Sequence, residues 1–368
     1  MAQTPQITSI NAPRLRVLAD KTPIEGAQSL TVTSGNNHQA DQFSVQFALG
    51  LASDFSADWW SRQGRIRLTL QAGFADATGD VAGWTTLLIG DCDTVDIDMA
   101  NAIVRAQGRD LSALLIDNRV TQTYQNQTSS QIATALANAT GLTPNVTATT
   151  TLVGPYYRID HNMTALSQFS DIKTQWDMLV YLAGQEGFNV WVDGTTLNFM
   201  PPPATPNIVN LPYKKGTIPQ FGAASLALHR AMTLAKDVEV HVRSWDSHHK
   251  NGFTIKLRGS IKTNAGGVVK LGPPQTYVFV KPDLTRDQAQ RFAQEKLREI
   301  SRYERTIEVK MPGDLTTNAR DMVNLTGTGT AFDQAYHIDT MTRKISLKSG
   351  FIQTMTLKNH SPQTESVL

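Results

Sequence analysis

Gly90-Asp-Cys-Asp-Thr-Val95, a turn, and then Val104-Arg-Ala-Gln-Gly-Arg-Asp-Leu-Ser-Ala-Leu-Leu-Ile-Asp117 set a strand hairpin directly before a helix. The run Ala102 to Gln107 alternates, as a strand with one wet and one dry face does. Gly108, Arg109 and Asp110 fall where that strand ends and a short helix carrying Leu111, Leu114 and Leu115 begins. A glycine there permits a backbone reversal, and Asp110 offers its carboxylate to the free amides of the first helical turn, worth about 1 kcal/mol. Arg109 is placed to pair with a carboxylate or to contact a partner. The hairpin thus closes a β unit and opens a helical one.

Working towards the N-terminus, Arg14-Leu-Arg-Val-Leu, Phe43/Val45/Phe47 and Arg65-Ile-Arg-Leu-Thr-Leu all alternate, with turn signals at Gly35-Asn36-Asn37 and Gly79-Asp80. Short strands at this spacing predict a small antiparallel barrel or sandwich over residues 1–108, with Asp58-Trp59-Trp60 capping one end. Residues 109–200 read as a compact α+β unit. A helix starts at Thr128 or Ser129, and Gly141 ends it. Another starts after Thr174, with Asp177 at capping-box spacing, and ends at Gly187. A hairpin then turns at Asp193-Gly194. Pro201-Pro-Pro-Ala-Thr-Pro206 opens a stiff linker and connecting segment, 201–233. From 234 to 368 the strand pattern returns, interrupted by an amphipathic helix at 286–302 that Thr285 caps with Gln288 at the box position. The fold class is therefore α+β, mainly β, with helical insertions.

The two strand-rich regions share a faint pattern. Asp93-Thr-Val95 and Asp339-Thr-Met341 each precede a turn and an alternating run, and each opens the last hairpin of its region. Three matched positions leave open whether one module was duplicated.

Composition narrows the function. The 368 residues carry 34 basic and 32 acidic side chains, a net charge of +2 that argues against a dedicated nucleic-acid binder or a polybasic membrane anchor. The single Cys92 rules out an intrachain disulfide and a Cys-based zinc site. Met1 to Asn11 is polar and has no signal-peptide pattern, and no apolar run approaches the ~20 residues of a membrane helix.

A search for chemistry returns little. The acids Asp91, Asp93, Asp96 and Asp98 miss the calcium-loop spacing, because Val95 and Asp96 stand where an acceptor and glycine are required. Paired carboxylates also serve glycoside hydrolysis, so a cell-wall carbohydrate-active enzyme is kept as an alternative; acids on the wet face of a strand pair is the reading the residues favour. His241, His248 and His249 lack a metal-ligand pattern and read as a strand and its polar loop. Gly327-Thr-Gly-Thr is not a phosphate loop, no nucleophile elbow is present, and Cys92 reads as a small buried hydrophobe. No catalytic, cofactor or metal residue is assigned.

The hairpin and helix from Gly90 to Asp117, the segment Thr128 to Leu142, the stretch Trp176-Asp-Met-Leu-Val-Tyr-Leu-Ala continuing to Glu186-Gly-Phe-Asn-Val-Trp-Val-Asp-Gly-Thr-Thr-Leu-Asn-Phe199, and a final hairpin at Tyr336 to Asn359 occur in a set order. In that order they resemble the baseplate hub proteins of contractile-tailed, Mu-like bacteriophages, the tail hub or late control protein D-like family, over most of the chain. The resemblance implies two similar small antiparallel β-barrel domains with an α+β domain between them. It implies a homotrimer whose six barrels continue a six-fold tail tube and meet a three-fold central spike. Tail tube and baseplate wedge proteins are the further partners, and the location is the virion tail baseplate after synthesis in the host cytoplasm. The related hub of a tailocin or secretion-system-like machine is the alternative, with its spike on a separate chain. Met311-Pro-Gly-Asp-Leu-Thr-Thr317 departs from the family's sharper turn. The family has no catalytic residues to carry over. If DNA slides through the ring, neutral or acidic walls avoid holding its phosphates, so Asp91, Asp93, Asp96 and Asp98 are expected to face the lumen.

Overall fold

The computed structural model describes residues 12–359 except 36–37, 51–53, 77, 121–122, 154–155, 158–159, 165–173, 214–224, 232–237, 247–249, 259–274, 283 and 302–304. The N-terminal module contains β1 (Ala12–Ala19), β2 (Thr22–Ile24), β3 (Ala27–Gly35), β4 (Gln42–Ala48), α1 (Ala57–Arg62), β5 (Arg67–Ala75), β6 (Thr85–Asp98) and β7 (Ile103–Asp110). The alternation seen in the sequence becomes burial: Leu30 and Val32 of β3, Phe43, Val45 and Phe47 of β4, and Val104 and Ala106 of β7 point into one core with Leu68 and Leu70. Each of the valine, leucine and phenylalanine side chains contributes about 1.5–3 kcal/mol by leaving water. Ser56 caps α1, and Trp60 packs on Phe47 with ring centroids 5.2 Å apart, so this helix plugs the module's core.

The middle unit contains α2 (Ala113–Asp117), β8 (Thr123–Gln125), α3 (Ser129–Ala139), β9 (Thr143–Val146), β10 (Tyr156–Tyr157), β11 (Asp160–Thr164), α4 (Gln175–Glu186), β12 (Asn189–Asp193) and β13 (Thr196–Met200). Its helix starts follow the sequence signals. Thr128 with Gln131, and Thr174 with Asp177, form reciprocal capping boxes, and Gly187 ends α4 in the left-handed conformation. A separate core of Ile132, Leu136, Leu179, Leu182 and Phe199 holds the unit together.

The remaining strands are β14 (Ile208–Pro212), β15 (Ser225–Arg230), β16 (Val238–Asp246), β17 (Asn251–Arg258), β18 (Gln275–Val280), β19 (Arg305–Pro312), β20 (Met322–Thr326), β21 (Ala335–Ser346) and β22 (Gly350–Asn359), with α5 (Arg286–Ser301) after β18. Their grouping differs from the division read in the sequence. The stretch 201–233 is no mere linker, since β14 pairs with β20 and β15 pairs with β19. Conversely, β16, β17 and β18 form a sheet of their own against α5, with Val240, Val242, Ala293 and Leu297 in a separate core. This α/β layer is inserted between β15 and β19. Thr285 and Gln288 form the expected reciprocal bonds at the start of α5.

The mainly β, α+β architecture is as expected from the sequence. The barrels are open ones, however. Hydrogen bonding among the described residues closes neither module on itself; it runs through both as one thirteen-stranded sheet, joined where β21 of the second module pairs with β3 of the first. Phe74 and Phe351, 5.9 Å apart, with Ala72 and Ile345 seal that junction.

Candidate functional site: a repeated β module and its edges

The faint sequence pattern corresponds to a repeated order of six strands. In the first module the ladder order is β3-β4-β7-β6-β5-β1; in the second it is β15-β19-β22-β21-β20-β14. Residue registers agree as well. Gln42 opposes Arg109 and Phe47 opposes Val104, while Thr306 opposes Lys358 and Met311 opposes Gln353. The last pair of strands differs, for β1 meets β5 antiparallel and β14 meets β20 parallel.

The repeat centres on Asp93 and Asp339. Both sit at the bulge of the long strand, where the register slips between Cys92 and Thr94 and between Ile338 and Thr340. Both pair with a cation on the hairpin's second strand at the same place. Arg109 Nε donates to Asp93 Oδ2 at 2.8 Å, and Lys358 Nζ donates to Asp339 Oδ1 at 2.5 Å. The bulge residue cannot join the ladder, and its carboxylate instead takes the partner strand's cation.

Gly108 and Asp110 stand differently from the sequence reading, whereas Arg109 pairs with carboxylates as expected. Gly108 is no turn residue. It lies inside β7 between Cys92 and Phe43, and a Cβ there would overlap the Asp91 carbonyl oxygen and come 2.8 Å from the Phe43 ring. Close strand approach, not backbone reversal, requires the glycine. Arg109 bridges Asp93 and Asp117, tying the β module to α2. Asp110 does not cap the helix: its Oδ1 accepts from the amide and hydroxyl of Ser112, which is itself the N-cap residue. Burial, reinforced by the nearby Asp41, pushes the Asp110 carboxyl up to about 7.

Asp110, buried, and Asp41 and Arg320, half-buried, form a group that the sequence did not signal. With His38, Trp176 and Trp191 they line a small cavity where the first module, the middle unit and the β19–β20 connection meet. Arg320 lies over Trp191, 4.9 Å from the ring centroid, and its charge offsets Asp41 and Asp110. Trp176 Nε1 donates to the His38 carbonyl at 2.7 Å. Asp41 is raised by burial and His38 lowered by it, so the junction disfavours charge except where Arg320 balances it.

The four acids on β6 do not form a bare acidic wall. Asp91 accepts from Arg65 and Arg67, Asp93 from Arg109, and Asp98 accepts from Asn101 in the hairpin turn. Asp96 stands directly across from Arg105. Burial between Asp91 and Asp93 pushes the Cys92 thiol up to about 12, far from a nucleophilic thiolate. His241 bonds Glu239 at 2.8 Å, and His248 and His249 lie outside the described residues. Among the described residues no three His, Cys, Asp or Glu side chains converge to hold a metal. No described helix is long and apolar enough to cross a membrane.

No protein-family model and no curated protein matches the chain. Solved structures do match it, end to end. The tail protein of Neisseria meningitidis MC58 superimposes with a TM-score of 0.68 at 13% identity, covering 96% of this chain and 98% of that one. The chain shares the fold of that tail protein. The 43 kDa tail protein of prophage MuSo2 from Shewanella oneidensis gives a TM-score of 0.66 at 14% identity over 97% and 100% of the two chains. The E. coli c3393 protein, a type VI secretion component structurally similar to the T4 tail proteins gp27 and gp5, gives 0.52 at 11% identity over 95% and 78%. Identities this low carry the fold and nothing beyond it.

Proposed function

We propose that the chain is a non-enzymatic structural component of a phage tail, the baseplate hub, acting as a homotrimer. The observation that carries this reading is the repeat: two modules with one ladder order, one bulge and one ion pair, joined edge to edge in a continuous sheet. A chain built this way supplies two near-equivalent units, so three chains present six. Such a ring meets a six-fold tube on one face and a three-fold central spike on the other. Its work is done by interfaces, which for an obligate assembly bury on the order of 2,000 Å² or more.

The lumen is proposed to be lined by the sheet's polar face. Thr31 and Thr33 on β3 continue there into Thr342 on β21, with a 3.2 Å contact between the Thr33 and Thr342 hydroxyls. Asp91, Asp93, Asp96 and Asp98 belong to this lining in the proposal. The arginines paired with Asp91 and Asp93, and Arg105 across from Asp96, offset much of the wall's negative charge, which suits transient passage of DNA as well as an acidic wall would. Tube and wedge proteins and a virion baseplate location follow from the same reading. The match to a secretion component favours, as a second reading, the hub of a tailocin or secretion-system-like injection machine. Light scattering on the purified chain tests the hub directly. A mass of three chains is expected, and a single chain at high concentration would overturn it.

A further inference from the structure

The repeat makes one strand edge predictable from another. In the second module the long strand β21 changes neighbours at its bulge. Before Asp339 it pairs with β20, and after it Thr340–Ser346 pair antiparallel with β3 of the first module. In the first module β6 does the same up to its bulge, pairing with β5 as far as Asp91. Beyond Asp93, however, Thr94–Asp98 have β7 as their only strand partner among the described residues. The counterpart of β3 is β15, which among the described residues has only β19 beside it. One module-to-module join is therefore made within the chain, and among the described residues neither half of the equivalent join has a strand beside it on that edge.

The open halves carry the marks of a seam awaiting cover. Val32 on β3 is 1% exposed beneath β21, while Leu228, its counterpart on β15, is 36% exposed. Met341 is buried on the covered strand, and Val95 at the same position of β6 is only half-buried. An edge strand bearing Leu226 and Leu228 without a proline or a bulge is one that proteins normally pair or shield.

We propose that β6 of one copy pairs antiparallel with β15 of the next, in the register of the internal β21–β3 join. That register opposes Val95 to Arg230, Asp96 to His229 and Ile97 to Leu228. The occupant is a second copy because the template for the contact is the chain's own join, and because the acidic end of β6 meets the basic end of β15. Asp96 then stands between Arg105 of its own chain and His229 of the neighbour. The contact is heterologous, head to tail, so successive copies repeat one rotation and close into a ring or continue as a filament. The inference rests on the hub reading for closure at three copies, but not for the seam itself.

Engineered cysteines test it, in full-length protein carrying Cys92→Ser. The pairs Asp96→Cys with His229→Cys and Ile97→Cys with Leu228→Cys are adjacent in register, so one of them occupies the closer, non-hydrogen-bonded site. Reduced samples are first matched to the parent by thermal melting. Under mild oxidation Asp96→Cys alone and His229→Cys alone stay uncrosslinked, their mixture yields covalent dimer, and the double variant yields covalent species that stop at three chains. Asp96→Cys with Ser225→Cys, out of register, yields none. A trimeric mass without in-register crosslinks would overturn the seam and leave the hub reading standing. In-register crosslinks that extend past three chains would keep the seam and overturn the closed hub. Crosslinks at Ser225 in place of His229 would overturn the register, and uncrosslinked monomer throughout would overturn both proposals.

Discussion

Replacing Gly108 by alanine probes the tightest point of the first module. The added Cβ would overlap the Asp91 backbone carbonyl and come 2.8 Å from two atoms of the Phe43 ring. A backbone oxygen cannot rotate away as a side chain does, so β6 and β7 must part or β4 must shift with Phe43. Overpacking of this kind costs about 1–3 kcal/mol, and a clash against backbone on one side and a core aromatic on the other belongs at the upper end, about 3 kcal/mol. Gly108→Ala should lower the urea midpoint accordingly, followed by tryptophan fluorescence, since Trp60 lies in the same core. Gly90→Ala, whose Cβ would meet the Arg109 carbonyl, should behave alike. Gly64→Ala, with nothing within 4 Å, should stay within about 0.5 kcal/mol of the parent. Equal stability of Gly108→Ala and Gly64→Ala would refute the claim that close strand approach fixes this glycine.

Other predictions follow from the ion pairs and the junction. Lys358, with 3% of its side chain exposed, faces Asp339, so Lys358→Met removes the cation paired with a largely buried carboxylate and should cost about 3 kcal/mol in denaturant melts. Arg109→Met, at a pair 25% and 40% exposed, should cost about 1 kcal/mol; equal losses would contradict the burial difference. The Asp110 carboxyl titrates near 7 when folded and near 3.8 in the ordinary range, so the folded state binds the extra proton between those values. Its contribution to stability is full below about pH 4 and lost as pH rises through 7. Asp110→Asn keeps an acceptor for Ser112 and removes the titration, so its melting temperature should fall less than the parent's between pH 5 and 8. Parallel pH profiles for the two would contradict the buried-acid assignment.

Much of this was legible in the chain because it is local. The capping boxes at Thr128, Thr174 and Thr285 need residues three apart, and the alternating runs at Phe43–Phe47 and Val104–Ala106 fix their own buried faces. The paired Asp-Thr hairpins were legible for the same reason. They mark a bulge, and a bulge is written into one strand. The edges were not legible. Leu226 and Leu228 do alternate, but a short strand among prolines and polar residues reads as connection until β19 is seen beside it. The separate sheet of β16, β17 and β18 was read as part of the second module, since alternation states which face is dry and not which core lies beneath it. Gly108 was read as a turn because a glycine before an aspartate and an apolar run suits one; the crowding by Asp91 and Phe43 comes from partners far along the chain. The junction joins Asp41 and Asp110 of the first module, Trp176 and Trp191 of the middle unit and Arg320 of the β19–β20 connection, and no spacing rule connects them.

In the proposed hub, two matching modules in one chain let three chains imitate six-fold order. Electron-microscopy class averages of the purified protein, analysed without imposed symmetry, test it most directly. The expected particle is a closed annulus of six similar lobes with true three-fold symmetry. A ring with any other number of chains, or particles showing only isolated two-lobed molecules, would contradict it.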